Sequence, residues 1–298
     1  MAHITHAGGP ARIVYLGTPE IAVAPLRALV DAGHDVALVV TNPDRRRGRG
    51  KDLTASPVKA AALELGLPVS HELDDVLQVD ADFGVVVAFG HIIKNHVLDE
   101  LALVNIHFSL LPRWRGAAPL ERAILAGDET TGVCLMEIAE ALDEGDVYAR
   151  REVRIGDRTL DELRSALVDA SCDLLVESLA TGLSTPEPQT GEVTYARKLT
   201  ADDFALDFNQ PASHLARIVR LGRAHTTLDG KRFGVKAASV DPTPHRADSG
   251  TLDGVRVATG DGWLVLDAVQ PEGKKAIAAA DWRRGARIDA DTRLGQAT

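Results

Sequence analysis

The sequence predicts an α/β fold: a Rossmann-like, doubly wound, mostly parallel sheet domain, followed by a smaller C-terminal β-barrel domain. Three observations carry this. Apolar strands alternate with helix-periodic stretches from residue 12 onward, the pattern of strand–helix–strand units. Residues 83–87, Phe-Gly-Val-Val-Val, are nearly all apolar, as in a parallel strand buried on both faces. From Pro211 the pattern changes to one helix and then short strands with glycine turns, which favours a small barrel.

Taken in order, residues 12–16 form a short apolar strand and Gly17-Thr18-Pro19 a turn, with Pro19 starting the helix. Residues 21–32 show helical periodicity that stops at Gly33. A buried strand at 36–41, a helix at 57–65 and strands at 67–69 and 83–87 follow. The first turn has only Gly17 where a dinucleotide fold expects G-x-G-x-x-G, and no GxxxxGK[ST] occurs, so the turn is read as structural. The amphipathic stretch 159–179 closes the first domain, and 182–192, with Ser184, Thr185, Pro186, Pro188 and Gly191, reads as a linker. A helix at 212–221 and strands at 232–236, 250–258 and 263–270 build the second domain. The resulting plan is a disordered segment 1–10, a first domain 11–182, a linker 183–205 and a second domain 206–298.

At 298 residues, 45% hydrophobic and 26% charged, the chain has an ordinary soluble composition. Its two cysteines, Cys134 and Cys172, are far apart; neither a disulfide framework nor a zinc site is expected, and a reducing cytoplasm fits. The N-terminus lacks the apolar stretch of a signal peptide, and no run approaches a membrane span. A net charge of −10 argues against a general nucleic-acid binder. Its distribution is uneven: residues 206–298 hold 14 Lys+Arg against 11 Asp+Glu, or +3, which leaves −13 for the rest. A basic run, Arg45-Arg46-Arg47-Gly48-Arg49-Gly50-Lys51, interrupts the acidic part. Such a run is usually a solvated face, but two glycines among the arginines suit it to RNA phosphates and grooves.

The most informative stretch is 105–119, Asn-Ile-His-Phe-Ser-Leu-Leu-Pro-Arg-Trp-Arg-Gly-Ala-Ala-Pro. Alternation puts Asn105 and His107 on the same side of an extended chain. An amide beside an imidazole can present two donors to one developing oxyanion. The alternative is a strand end whose Asn and His satisfy neighbouring backbone groups. Asp143, in Leu142-Asp143-Glu144-Gly145, is likewise either a functional carboxylate or a solvated acidic turn.

The chain resembles the folate-dependent formyltransferases, and within them the enzymes that act on the methionyl group of initiator tRNA. The resemblance rests on Leu16-Gly17-Thr18-Pro19-Glu20, Pro43-Asp44, Gly48-Arg49-Gly50-Lys51, Ser56-Pro57-Val58-Lys59, Val86-Val87-Ala88-Phe89-Gly90, the 105–119 block, Gly127-Asp128-Glu129-Thr130-Thr131-Gly132-Val133, Leu142-Asp143-Glu144-Gly145 and Gln270-Pro271-Glu272-Gly273-Lys274. It implies transfer of a formyl group from 10-formyltetrahydrofolate, as co-substrate, to the methionine amine, with no metal. It implies that Asn105, His107 and Asp143 are catalytic, with Asp143 accepting the amine proton. Ser109, Leu110, Leu111 and Pro112 match the family's folate turn, and Phe89 and Gly90 are expected in the same pocket. Arg45, Arg46, Arg47, Arg49 and Lys51 match its tRNA-contacting loop. The second domain is implied to be a tRNA-binding barrel of the oligonucleotide-binding type. A monomer, free of membranes, is expected.

Three departures stand out: Phe108 replaces a small residue, Cys134 a small hydroxyl residue or methionine, and Arg223-Ala224-His225-Thr226 a proline-rich stretch ending in tryptophan. The competing readings are a formyltransferase for a nucleotide sugar or glycinamide ribonucleotide, and a catalytically idle RNA-binding protein. The basic run, the 114–119 sequence and the second domain favour tRNA over the former. The three candidate catalytic residues favour an enzyme over the latter.

Overall fold

The structure, a computed structural model, describes residues 4–46, 53–286 and 292–295. It divides into two compact units. One comprises Met1–Pro119, Thr130–Arg154 and Arg164–Ala196, the other Leu120–Glu129, Ile155–Leu163 and Arg197–Thr298. Two short pieces from the middle of the first predicted domain therefore group with the C-terminal unit.

Up to residue 196 the chain runs β1 (Arg12–Gly17), α1 (Val23–Asp31), β2 (Asp35–Val40), β3 (Arg45–Arg46), β4 (Leu53–Thr54), α2 (Pro57–Glu64), β5 (Val69–Ser70), β6 (Phe83–Val87), α3 (Asn95–Glu100), β7 (Leu103–His107), β8 (Arg115–Gly116), α4 (Pro119–Ala126), β9 (Thr130–Glu137), β10 (Val147–Arg154), α5 (Leu160–Thr181) and β11 (Tyr195–Ala196). Seven strands make the sheet of the first unit, in the order β10-β9-β7-β6-β1-β2-β5. β5, β2, β1, β6 and β7 are parallel, and β9 and β10 extend the sheet antiparallel. From β1 the chain steps outward to β2 and β5, then returns to β6 on the other side. At such a reversal the carboxyl ends of neighbouring strands open a crevice, the usual ligand site of this topology.

Sequence explains these elements locally. β6 is buried at every residue, consistent with its uninterrupted apolar run. Tyr15, wholly buried in β1, donates its hydroxyl to the Ala22 carbonyl at 2.5 Å. Burial holds its phenol far above the usual pKa. A Cβ on Gly17 would lie 2.9 Å from the Ala22 Cβ and 3.0 Å from the Val87 carbonyl oxygen, so the lone glycine lets the turn pack against β6. Ser56 caps α2 by accepting from the Lys59 N–H at 3.0 Å, with Pro57 in the first turn. Thr159 and Glu162 form a reciprocal capping box at the start of α5.

Two expectations are corrected. Residues 4–10, read as disordered, hold their place: Ile4 is buried and donates its N–H to the Tyr148 hydroxyl, and His6 pairs with Leu183. The stretch 183–196, read as linker, is hydrogen-bonded into the first unit through Leu183–His6, Glu187–Val147 and the β11–β8 pair. Glycines and prolines mark it as irregular without revealing its tertiary partners.

The second unit contains α6 (Ala212–Arg220), β12 (His225–Leu228), β13 (Lys231–Asp241), β14 (Leu252–Asp253), β15 (Arg256–Ala258), β16 (Trp263–Pro271), β17 (Ile277–Ala278) and α7 (Ala279–Gly285). Its antiparallel sheet runs β12-β13-β16-β15-β14, with β17 also on β16. Register shifts along β13 and β16, at Val235/Ala237 and Ala237/Ala238, bend these long strands. β12 and β14 are not paired with each other among the described residues, as in partly open barrels. Leu215, Ile218 and Val219 of α6 share a core with Phe233, Val235, Leu264, Leu266 and Trp282. The two short pieces are tied in by Arg122–Asp203 at 2.7 Å, by Arg217 to the Leu125 carbonyl at 3.1 Å and by Arg220 to the Gly156 carbonyl at 2.8 Å.

Candidate active site

Strand β7 carries Asn105 and His107 to the carboxyl end of the sheet. Asn105 sits in register with Val86 and Met136, and His107 with Cys134. The crevice is laced by hydrogen bonds: the Thr18 hydroxyl donates to the Phe89 carbonyl at 3.3 Å and accepts from the Asn42 N–H at 3.4 Å. His91 Nε2 donates to the Asn42 side-chain oxygen.

The imidazole of His107 is buried, and its Nε2 lies 3.0 Å from the Trp114 carbonyl. A carbonyl only accepts, so Nε2 carries the hydrogen. Nδ1 lies 3.6 Å from Asp143 Oδ2, too far for a direct hydrogen bond. It is thus an acceptor in the neutral ring and a donor in the protonated one, with no hydrogen-bond partner among the described residues. Asp143 Oδ2 accepts the Gly116 N–H at 2.7 Å. The Asn105 carboxamide is partly exposed and has no hydrogen-bond partner among the described residues. An amide left open at a strand end has its donors free for a ligand.

Backbone strain concentrates around this group. Ala88, Trp114 and Asp143 have φ of 46°, 62° and 53°, each costing of order 1 kcal/mol and clustering as functional sites do. Gly145 is required where it stands: a Cβ would lie 2.1 Å from the Glu137 carbonyl oxygen. The Asp143 loop is therefore pressed against the end of β9.

The remaining predicted residues fall into three groups. Ser109 is wholly buried, with its hydroxyl donating to the Arg113 carbonyl at 2.5 Å. Leu111 packs with Cys134, Met136 and Val147, and Phe89 belongs to the core around Val14 and Leu16. Their side chains hold the turns in shape; of the 109–112 turn only Leu110 is partly exposed. Gly90 is exposed, and a Cβ there would meet nothing within 4 Å, so space beside it is open. Arg45 and Arg46 are exposed on β3, paired with β4. Arg47, Arg49 and Lys51 lie outside the described residues.

Sequence reasoning missed a polar clamp on the Asp143 loop. Gln189 donates through Nε2 to the carbonyls of Asp143 and Gly145, both at 2.8 Å. Its Oε1 accepts from Arg115 Nε and Nη2 at 3.1 and 2.8 Å, and Arg115 Nη1 also reaches Glu144 at 2.7 Å. Arg115 is 7% exposed, unusual for an arginine. No spacing links positions 115, 144 and 189, so only the tertiary fold reveals the cluster.

The second unit holds a separate basic feature. Arg223, Arg232 and Lys236, with Gly234 and Gln270 between them and one carboxylate, Glu272, on the wall, line an open groove of ≈ 340 Å³. Arg232 and Lys236 project from the outer face of β13, opposite buried Phe233 and Val235, and Arg223 lies over the Phe204 ring at 4.5 Å.

An amide, an imidazole and a carboxylate at the carboxyl end of a doubly wound sheet, beside its switch point, suit a transferase acting at an acyl carbon. The chain belongs to the formyl transferase family: residues 11–179 match the formyl transferase domain and residues 198–287 its C-terminal domain. It is 43% identical to the methionyl-tRNA formyltransferase of Roseiflexus castenholzii over 95% of this chain and 99% of that one. It is 41% identical to that of Thermobifida fusca, over 95% and 99%. Among solved structures, the N-formyltransferase from Helicobacter canadensis, in complex with folinic acid and dTDP-3-aminofucose, aligns with TM-score 0.68 at 15% identity. The alignment covers 88% of this chain and 100% of that one. HypX from Aquifex aeolicus in complex with tetrahydrofolic acid aligns with TM-score 0.61 at 18% identity, over 92% and 47%. At such identities these two show the fold alone.

Proposed function

We infer that the protein transfers the formyl group of 10-formyltetrahydrofolate to the amino group of methionine on initiator methionyl-tRNA, giving the formylated tRNA used to start translation. The observation that carries the chemistry is His107 Nδ1, without a hydrogen-bond partner among the described residues, on the same strand as the unpartnered Asn105 amide and near the clamped Asp143. The acceptor is supported by near full-length relatedness to methionyl-tRNA formyltransferases.

The folate supplies an activated formyl carbon, and the residues present suit it. Leu110 offers a partly exposed apolar side chain, and the space beside Gly90 is open, so a flat ring would find an apolar contact and backbone groups there. An amine is already a nucleophile, so the protein must align it, stabilise charge and move protons. Asn105 presents an N–H where negative charge develops on the formyl oxygen. His107, protonated at Nδ1, adds a second donor and can release that proton to the departing nitrogen. Asp143 accepts the proton the amine loses, directly or through water. Each step leaves a donor or acceptor that its neighbour can reset.

In this reading, the first unit, which takes in the stretch 183–196 but not 120–129 or 155–163, forms the catalytic domain. Arg45, Arg46, Arg47, Arg49 and Lys51 meet the acceptor stem. The groove of Arg223, Arg232 and Lys236 gives the C-terminal domain a second phosphate-binding surface. The protein acts as a monomer in the cytoplasm; none of its described helices is long and apolar enough to cross a membrane. The test is formylation of charged initiator tRNA with 10-formyltetrahydrofolate, run beside amino-sugar nucleotides and glycinamide ribonucleotide. Formylation of tRNA alone is expected; turnover of a small-molecule amine at a comparable kcat/KM would reject the reading.

A further inference from the structure

We propose that Gln189 is a positioning residue for catalysis, and that the strap 187–196 sets the distance between His107 and Asp143. The proposal rests on the formyl-transfer reading above. The strap touches both halves of the site. At one end Glu187 pairs with Val147 in both directions, at 2.8 and 2.9 Å, which lays Gln189 over the Asp143–Gly145 loop. At the other, the Thr194 carbonyl accepts the Arg115 N–H at 2.9 Å, its hydroxyl accepts the Trp114 N–H at 2.9 Å, and β11 pairs with β8. Trp114 is the residue whose carbonyl orients His107. One segment therefore fixes the acceptor that orients the imidazole and the backbone that carries the carboxylate.

Glutamine has the side chain this position requires. It must accept two N–H groups from Arg115 on one oxygen while donating two from its nitrogen to two carbonyls. Arg115 polarises the amide, strengthening both donors. A carboxylate of the same shape would keep Arg115 but turn an oxygen against two carbonyl oxygens. Without the clamp, the left-handed turn at Asp143 (φ 53°) keeps the Gly116 N–H, the Arg115–Glu144 pair, the Glu144 N–H to the Ala141 carbonyl and the contact of Gly145 with β9, none of which engages the Asp143 or Gly145 carbonyl. A displacement of about 1 Å between reacting groups costs roughly 100-fold in rate.

The test compares wild type, Gln189→Glu, Gln189→Ala, Asp143→Asn and the double variant Gln189→Glu/Asp143→Asn. The measurements are single-turnover formylation, Kd for folate and for charged tRNA, and hydrogen exchange of the Gly116 amide. Gln189→Glu is expected to lower kcat about 10- to 100-fold, with both Kd values within about twofold. In the Asp143→Asn background the same change should cost less than about twofold, because Gln189 acts through Asp143. A purely structural role would cost as much in either background and would weaken binding as well. The Gly116 amide, which donates to Asp143, should exchange about tenfold faster in Gln189→Glu, while β6 and β7 keep their protection. Wild-type kcat in Gln189→Glu, equal losses in both backgrounds, or unchanged Gly116 exchange would each overturn the proposal. If wild type itself forms no formyl-methionyl-tRNA, the functional reading fails; the exchange experiment still decides on the clamp.

Discussion

The two units handle charge in opposite ways. In the first, the groups that matter are sunk in structure: His107 is 6% exposed and Arg115 7%, and Asp143 is held by a backbone N–H and by the clamp on its loop. In the second, Arg232 and Lys236 stand in solvent on the outer face of a regular strand, and no comparable network restrains them among the described residues. Desolvation strengthens electrostatics and fixes geometry, which a reacting centre needs. A polyanion can be held by exposed charge with little geometric demand. The contrast teaches that loss of one group should be catastrophic in the first unit and graded in the second.

The sharpest way to break that comparison is at the centre of the first unit. His107→Ala is expected to cut the chemical step by roughly 10²–10³, the usual loss of an oxyanion donor, with tRNA and folate binding retained. Asp143→Asn keeps the shape and removes the carboxylate proposed to accept the amine proton, and a similar loss is expected across the pH range. Single-turnover formylation with saturating enzyme checks both; a loss below about tenfold would remove the residue from the mechanism.

Charge in the basic run should matter less, and in a different parameter. Arg49→Ala is expected to lower kcat/KM for charged initiator tRNA and to reduce the salt slope of binding by about 1, with folate affinity unchanged. A parallel loss of folate affinity would mean that the run shapes the donor pocket. Arg232→Gln with Lys236→Gln should give a smaller, graded rise in KM, with kcat intact. If that pair instead lowers kcat as far as His107→Ala does, the division of labour between the units is wrong.

The same contrast governs what the sequence makes legible. β1, β2 and β6 are plain in it because burial on both faces imposes an apolar run, and Asn105 with His107 because strand alternation places them together. Asp143 needed the family resemblance, since an acidic residue beside Glu144 and Asp146 also describes a solvated turn. Gln189 was hidden: its role depends on a backbone path that returns to β8 and β10 after a helix of 22 residues, and its neighbours Pro188 and Gly191 look like linker. The regrouping of 120–129 and 155–163 with the second unit was hidden for the same reason. It rests on Arg122, Arg217 and Arg220, ordinary surface residues by pattern, whose partners lie far along the chain.

The smallest expected effect extends the comparison to stability, because each unit holds a histidine with a lowered pKa. His34, in the first unit, is lowered by burial and then by nearby His6, and its Nδ1 accepts the Ala11 N–H at 3.2 Å. His214, in the second, is lowered by burial and then by Arg217. A histidine that folding keeps neutral contributes stability that is fully present above its unfolded pKa of about 6.5. That contribution is lost as pH falls toward the folded value, because the unfolded chain then binds the proton more readily. Protonating His34 also breaks its bond to Ala11, whereas His214 is partly solvated and can charge with less disruption. His34→Asn preserves an acceptor and removes the titration. It should therefore flatten the fall of Tm between pH 7 and pH 5 more than His214→Asn does. Equal slopes for the two variants, measured by thermal unfolding in matched buffers, would show that burial in the first unit confers no special sensitivity to acid.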